Sequence, residues 1–303
     1  MCIEHLLYFL FKLINIIRIN TQLLVLCKYR SIAKTILKRF VNKDYDHCNR
    51  IIFNERNMQF VQGLPQGVYV GQTQIEHAKS VNSNIPELAG FNLALHVNDD
   101  PIRVQQHRMA LLDEFAEYDV NKITWMTQTH STICHTVNEE MTFTALVGDG
   151  LVTQTQGHAL MMMTADCLPV VLGNAVGTEV ANLHAGWRGL ANGIVENTIT
   201  SMQSKPTWAW LGAAISQPCF EVGGEVYEVF CEKYPELIHA FKDSENLGKY
   251  QADLYAIARY ILKKQGVEVI LGGKECSYLD DEKYYSYRRN AKTGRMATFV
   301  FMA

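Results

Sequence analysis

Cys167 and His184 are the residues of this 303-residue chain whose types and settings point most directly to chemistry. Each stands just past a short apolar run. Leu160-Met161-Met162-Met163 leads into Thr164-Ala165-Asp166-Cys167, and Glu179-Val180-Ala181-Asn182-Leu183 leads into His184-Ala185-Gly186-Trp187-Arg188. Short apolar runs bounded by turn residues read as buried strands. If the two strands pair, the cysteine and the histidine meet at one end. A third such place lies upstream, where Ile123-Thr124-Trp125-Met126-Thr127-Gln128-Thr129 leads into His130. Two imidazoles and a thiolate make a reasonable ligand set for zinc or copper with one position open.

Each of these residues also has a plainer reading. A lone cysteine after an apolar run is ordinarily core, but Asp166 beside Cys167 and Pro169 just after it place the thiol where a strand becomes a loop. His184 opens His-Ala-Gly-Trp-Arg-Gly, in which glycines admit close backbone approach and Arg188 offers a fork for phosphate or carboxylate. Asp149 and Asp166 are candidate acid/base carboxylates, although an aspartate beside glycine commonly caps a turn. Arg288 and Arg289, behind Tyr284, Tyr285 and Tyr287, suggest an anion or purine pocket. His77, His96, His135, His158 and His239 show no partner pattern. The chain has no Gly-x-Gly-x-x-Gly, phosphate-loop Gly-Lys-Ser/Thr, His-Glu-x-x-His or Gly-x-Ser-x-Gly.

The elements that must position these groups alternate between strand and helix. Gly63–Gly71 reads as a turn and a short strand, and 72–88 as a loop. Pro101 suits a first helical position with Asp99 or Asp100 as cap, so the pattern predicts a helix over 102–118 with Val104, Leu111, Leu112 and Phe115 on one face. Strands are predicted at 122–128, 131–137, 141–146, 207–215 and 267–271, with a last strand after Met296. Helices are predicted at 189–202, 223–233 and 253–265. Such mixing makes one α/β or α+β domain over 58–303 the natural arrangement.

Composition limits the classes open to the chain. It is 48% apolar and 19% charged, with a net charge of −3. That describes an ordinary globular protein, with no case for a nucleic-acid partner or an anionic membrane. Eight scattered cysteines without Cys-x-x-Cys read as free thiols in a reducing, cytoplasmic compartment. Residues 1–57 carry ten Lys/Arg against four Asp/Glu, leaving the remainder at −9. No uncharged run in that segment approaches the ~18–20 residues that span a bilayer. An amphipathic surface helix is compatible with it; the simpler expectation is an atypical extension, with Met58 as the functional start.

Several segments occur together in a fixed order: Asn92-Leu93 with His96-Val97-Asn98-Asp99-Asp100-Pro101, Gln128-Thr129-His130-Ser131, Thr164-Ala165-Asp166-Cys167-Leu168-Pro169-Val170, His184-Ala185-Gly186-Trp187-Arg188-Gly189, Glu221-Val222-Gly223, and Ser286-Tyr287-Arg288-Arg289 with Thr293-Gly294-Arg295-Met296. Over about 64–302 this closely resembles the YfiH-like purine nucleoside phosphorylase family, also called laccase-domain or polyphenol oxidase proteins. The resemblance implies a single layered α/β/β/α domain in which His130, Cys167 and His184 bind zinc. It implies phosphorolysis of adenosine, inosine and S-methyl-5′-thioadenosine, and hydrolytic deamination of adenosine. On that reading Cys167, Asp166, Asp149 and Arg188 are catalytic, and Asn92, Gln128, Arg288 and Arg289 bind substrate. The expected partners are nucleoside and phosphate, acting on a monomer or small homo-oligomer. Where the family carries Thr-Arg-x-Gly-Gly-Val-Ser, this chain reads Gly71-Gln72-Thr73-Gln74-Ile75-Glu76-His77, without the Arg and the glycine pair.

Three other classes use the same residues. A copper phenol oxidase of the blue-copper or trinuclear kind needs many more histidines, including His-x-His pairs, and the chain has none. A cysteine amidase would use Cys167 as nucleophile and His184 as base, as in editing of peptidoglycan precursors. A non-catalytic metal- or partner-binding protein would not need Arg, Gly and Asp gathered around the ligands.

Overall fold

A computed structural model of the chain describes residues 60–139 and 145–303, all within one compact unit. The expectations for residues 1–57, and most of the strand expected at 141–146, lie outside the described residues.

The apolar runs around Met161 and Val170 form central strands because they are covered on both faces. His158–Thr164 belongs to a four-stranded sheet in which Val68–Gln72, Met296–Met302, His158–Thr164 and Lys122–Thr124 lie side by side. Leu168–Gly173 belongs to a six-stranded sheet, in the order Val269–Gly272, Trp208–Leu211, Leu168–Gly173, Val180–Ala185, Gly150–Thr153, Cys134–Val137. Alternate side chains of each strand serve different layers. Leu160, Met162, Val171 and Val300 meet between the sheets. Met161, Phe299 and Phe301 face outward onto Leu111 and Phe115 of the helix Pro101–Phe115. On the far side, Val170, Leu172 and Leu183 pack on Leu190, Ile194, Val226, Ile257 and Ile261 from four helices. The result is the layered α/β/β/α domain that the family resemblance implies.

Local signals set the element ends. Asp100 caps the helix Pro101–Phe115 by accepting from the Ile102 amide at 2.9 Å, with Pro101 in its first turn. Asp253 likewise caps Leu254–Lys264 through the Ala256 amide. Two expected elements are divided. The helix expected over 189–202 is two helices, Trp187–Asn192 and Ile194–Ser201, because Gly193 takes φ 98° and turns the axis. The strand expected over 122–128 is split into Lys122–Thr124 and Met126–Thr127, which pair in different sheets. Tertiary pairing overrides a continuous apolar run there. A small sheet of Glu221–Gly223, Lys249–Ala252 and Phe241–Asp243 was not anticipated. Its strands are too short and too polar to show alternation.

Candidate metal centre

Strand register brings the three candidate ligands to one end of the six-stranded sheet. Leu168–Gly173 and Val180–Ala185 pair antiparallel with Leu168 opposite Ala185 and Pro169 opposite His184. Cys167, one residue beyond the paired stretch, therefore meets the His184 end of its neighbour. On the other side Gly150 pairs with Leu183, and the His184 amide donates to the Asp149 carbonyl at 2.8 Å. The ligand atoms of His130, Cys167 and His184 all lie within 4.8 Å of one another. Cys167 Sγ is 3.7 Å from His130 Nε2, and the two imidazole rings are 4.7 Å apart at 68°. His184 is buried, Cys167 half-buried and His130 exposed, so the cluster opens to solvent on one side.

Asp149 organises the centre from beneath. It is fully buried, and its carboxylate accepts from the backbone amides of Thr129, His130 and Ser131 at 3.2, 3.1 and 2.6 Å and from Ser131 Oγ at 2.7 Å. Successive amides wrapped on one anion form a nest, and His130 enters it with φ 58°. The same carboxylate accepts from His184 Nδ1 at 2.8 Å, which fixes the tautomer and leaves Nε2 for the cluster. Burial works against the Asp149 charge, but the hydrogen bonds from His184 and Ser131 outweigh it and hold the carboxyl down at about 2. Burial likewise opposes charge on Cys167 and His184. The facing His184 brings the thiol down to about 6, and the facing thiolate with Asp149 brings the imidazole up to about 9.

Two backbone features aim the thiol. Asp166 takes φ 95°, a costly region for a non-glycine residue. It is held there by Ser277 Oγ and the Arg288 amide, which donate to its two carboxylate oxygens at 2.7 and 2.6 Å. Gly186 has an ordinary φ of −62°, so the requirement for glycine is one of space. A Cβ there would lie 2.9 Å from Cys167 Sγ and 3.2 Å from His130 Cδ2. Gly186→Ala is therefore expected to keep the fold but push the thiol out of the cluster, weakening metal binding at least tenfold. Chelator competition measures this, and unchanged affinity would refute the crowding argument.

The family model described as multi-copper polyphenol oxidoreductase laccase matches residues 76–303. The chain is 40% identical over 222 residues to the Escherichia coli (strain K12) protein named purine nucleoside phosphorylase YfiH, covering 72% of this chain and 89% of that protein. The chain belongs to this YfiH-like, laccase-domain family. It is also 32% identical over 229 residues to adenosine deaminase RL5 from an unknown prokaryotic organism, covering 70% of this chain and 87% of that protein. The crystal structure of Neisseria meningitidis protein NMB0706 superposes with a TM-score of 0.75 at 37% identity, covering 82% of this chain and 99% of that one.

The other residues singled out for this YfiH-like chain are placed as follows. Gln128 grips the Met163 backbone, donating to its carbonyl at 2.7 Å and accepting from its amide at 2.8 Å. Asn92 is fully buried and spends its amide on Ala94, Asp99 and Arg295 backbone or side-chain groups. Arg289 donates to the carbonyls of Ser277, Tyr278 and Tyr284. Arg288 donates to the Glu221 carbonyl and lies over Phe220. Arg188 is exposed and stacked on Trp187 at 4.4 Å. The segment that replaces the family's Arg-x-Gly-Gly holds the loop instead: Gln72 accepts from the Ala213 amide at 2.7 Å, and His77 stacks on Phe91 at 3.8 Å.

Sequence reasoning passed over Arg295, Arg108 and His96. Arg295 lies in electrostatic range of both Cys167 and Asp166, although burial lowers its pKa. Arg108 stacks on Trp125 at 4.2 Å and reaches Met163 Sδ at 3.7 Å; burial pulls it down to about 10, still cationic at neutral pH. Half-burial and the charges of Arg295 and Arg108 lower the pKa of the His96 ring. These residues come from a loop, a helix and the last strand's approach, so no local spacing joins them. The only signal was their presence within the quoted motifs or the helix after them.

The donor set fits a divalent ion. Two imidazoles and a thiolate converge, one imidazole is oriented by a carboxylate, and a Cβ-free residue leaves room beside the sulfur. Among the described residues no helix is long and apolar enough to cross a membrane.

Proposed function

We propose that this chain is a zinc-dependent purine nucleoside enzyme. It cleaves adenosine, inosine and S-methyl-5′-thioadenosine with phosphate, and deaminates adenosine by hydrolysis. The convergence of His130, Cys167 and His184 within 4.8 Å carries the reading, and relatives named purine nucleoside phosphorylase and adenosine deaminase support its substrate class. His130, Cys167 and His184 would hold the zinc ion, which would supply Lewis acidity and a water acidified to a pKa of ~7 for attack on the purine C6.

The chain's own residues do the rest. Asp149 is a positioning residue: saturated by donors and with its pKa held at about 2, it fixes His184 and the His130 turn and carries no proton. Asp166 positions Cys167 in the same way, with both oxygens engaged by Ser277 and Arg288. Arg295, helped by Arg108, replaces Arg188 and Arg289 as the anion cradle. It lies in electrostatic range of Cys167 and Asp166, and its Nη1 donates to the Thr293 and Gly294 carbonyls at 2.9 Å, whereas both Nη atoms of Arg289 are spent on three carbonyls. Phosphate held there attacks the ribose C1′ as the purine leaves. The departing purine takes up the proton that phosphate gives up, and His96, its pKa lowered by burial and the two arginines, relays it. Tyr287, exposed and 5.9 Å from the Arg295 guanidinium, offers a face for the base.

The test is chromatography of products from adenosine with and without phosphate, beside Cys167→Ala. Adenine only with phosphate, or inosine without it, and neither from the variant, supports the reading. No turnover by metal-loaded protein overturns it. Arg295→Ala is expected to raise the KM for phosphate at least tenfold while leaving deamination within about twofold, a contrast expected for lost anion binding. Equal losses in both reactions would remove Arg295 from the cradle.

The Cys167 thiol and the His184 ring, with their reactive atoms within 4.8 Å and each shifting the other toward its charged form, favour one second reading, a cysteine amidase. Turnover of an amide substrate by metal-free protein, blocked by alkylation of Cys167, would support it over the first.

A further inference from the structure

A second sulfur site lies behind the metal centre, on the turn Gln217–Cys219 and the start of the segment 276–280. Neither Cys219 nor Cys276 is among the expected site residues; both are free and half-buried. The sheet edge brings them together: Ala214 bridges to Cys276 in parallel, so the chain leaving Ala214 curls back over the Cys276 side chain. Cys276 Sγ accepts from Ser216 Oγ at 2.9 Å and from the Ser216 amide at 3.4 Å. The backbone amides of Tyr278 and Leu279 also donate to it, so four donors from two chain segments converge on one sulfur. The turn sets Cys219 on the same side: its amide donates to the Ser216 carbonyl at 2.9 Å, and Ser216 is the residue whose hydroxyl meets the Cys276 sulfur. Burial pushes the Cys276 thiol up, but the Ser216 hydroxyl and the three amides outweigh it and bring the pKa below the ordinary value. Burial and the neighbouring Cys276 push Cys219 the other way.

We propose that Cys219 and Cys276 form a peroxide-responsive dithiol, with Cys276 the attacking sulfur and Cys219 the resolving one. The four donors stabilise Cys276 as a thiolate, which is the nucleophilic form. It attacks a hydroperoxide oxygen: the O–O bond breaks, an S–O bond forms, and the departing alkoxide or hydroxide takes up the proton the thiol gave. The Cys219 thiol then attacks the sulfenic sulfur of Cys276, the S–O bond breaks, and water leaves with the Cys219 proton. Two thiols and one hydroperoxide thus give a disulfide, an alcohol or water, and water. The site borders the metal centre without sharing a ligand. Ser277, next to Cys276, donates to Asp166 at 2.7 Å, so the cross-link forms one residue from the bond that holds the turn before Cys167.

The test uses the full-length, metal-loaded protein and needs no assay of turnover. The protein is treated with hydrogen peroxide, free thiols are blocked with iodoacetamide, and the peptides are mapped by mass. The expected result is complete loss of alkylation at both Cys219 and Cys276, a linked peptide two hydrogens lighter than the separate pair, and full recovery after dithiothreitol. Cys134, whose pKa is raised by burial, should stay alkylatable and serves as the reference. In Cys219→Ser the sulfenic acid has no resolving partner, so dimedone should label Cys276. In Cys276→Ser neither the link nor a label at Cys219 should form. Persistent alkylation of both residues in the wild-type chain, pairing of Cys276 with another cysteine, or dimedone on Cys219 rather than Cys276 would each overturn the proposal.

Discussion

Cys167→Ala and His184→Ala are each expected to lose metal at the centre and nucleoside turnover with it. Each removes a ligand from a group of three whose donor atoms span 4.8 Å. Two remaining ligands cannot complete a tetrahedral site with only one position open. The loss in affinity should exceed the roughly 10–100-fold seen when only a partner of a ligand is removed. The two variants should differ in stability. Cys167 is half-buried, and alanine fits its place with little change. His184→Ala leaves the buried Asp149 carboxylate without its imidazole donor at 2.8 Å, which costs about 1–3 kcal/mol. Metal analysis after dialysis against a chelator, with urea unfolding alongside, measures both effects. Full retention of metal by Cys167→Ala would sink the assignment of the thiol as a ligand.

Asp149→Ala is expected to have the largest effect on folding. The carboxylate gathers three backbone amides, the Ser131 hydroxyl and the His184 ring in a fully buried place. Removing it leaves these donors unsatisfied and the left-handed His130 turn without its anchor, at about 3–5 kcal/mol. Asp149→Asn keeps the volume but loses the charge, so it should fold and bind metal about 10–100-fold more weakly. The pH dependence has a definite sign. The Asp149 pKa is held at about 2, below its ordinary 3.8. Its contribution is therefore complete above the unfolded value and is lost as pH falls through the folded one. The stability gap between wild type and Asp149→Asn should widen as pH falls from neutral through the unfolded histidine value of 6.5, because Asp149 also raises the His184 pKa, level off near pH 5, and shrink below about 4. Urea unfolding at a series of pH values measures it, and a gap that kept growing below about pH 4 would contradict the assignment.

The legible part of the candidate site was the part written in short segments. Thr164-Ala165-Asp166-Cys167 and His184-Ala185-Gly186-Trp187-Arg188 each carry a reactive residue at the end of an apolar run. A strand end is recognisable because the run stops where polar and turn residues begin. The helices 224–233 and 254–264 were read within a residue or two because Asp253 and the apolar spacing mark them locally. Gly193 was present in the sequence too, but whether a glycine breaks a helix or rides inside it depends on what packs on either side.

Partner relations were not legible. Nothing in the spacing of Arg289 distinguishes a guanidinium free for phosphate from one spent on the carbonyls of Ser277, Tyr278 and Tyr284. Arg295 had the same residue type and a less conspicuous setting, yet it is the arginine in electrostatic range of both Cys167 and Asp166. Asp149 read equally well as acid, base or turn cap until the donors around it were seen.

The sequence by itself determined which residues have the chemistry to bind a metal, the mixing of strands and helices, and the ordered motifs whose resemblance implies the layered fold and the family. The first two follow from side-chain type and local periodicity, which are fixed along the chain; the layering enters only with the resemblance. The tertiary structure alone decided that Leu168 pairs with Ala185, bringing Cys167 beside His184, that Asp149 lies beneath both histidines, and that the turn carrying Cys219 packs on Cys276 through Ser216. Those pairings join residues far apart in sequence, and they form only where burial of both sheet faces fixes the register.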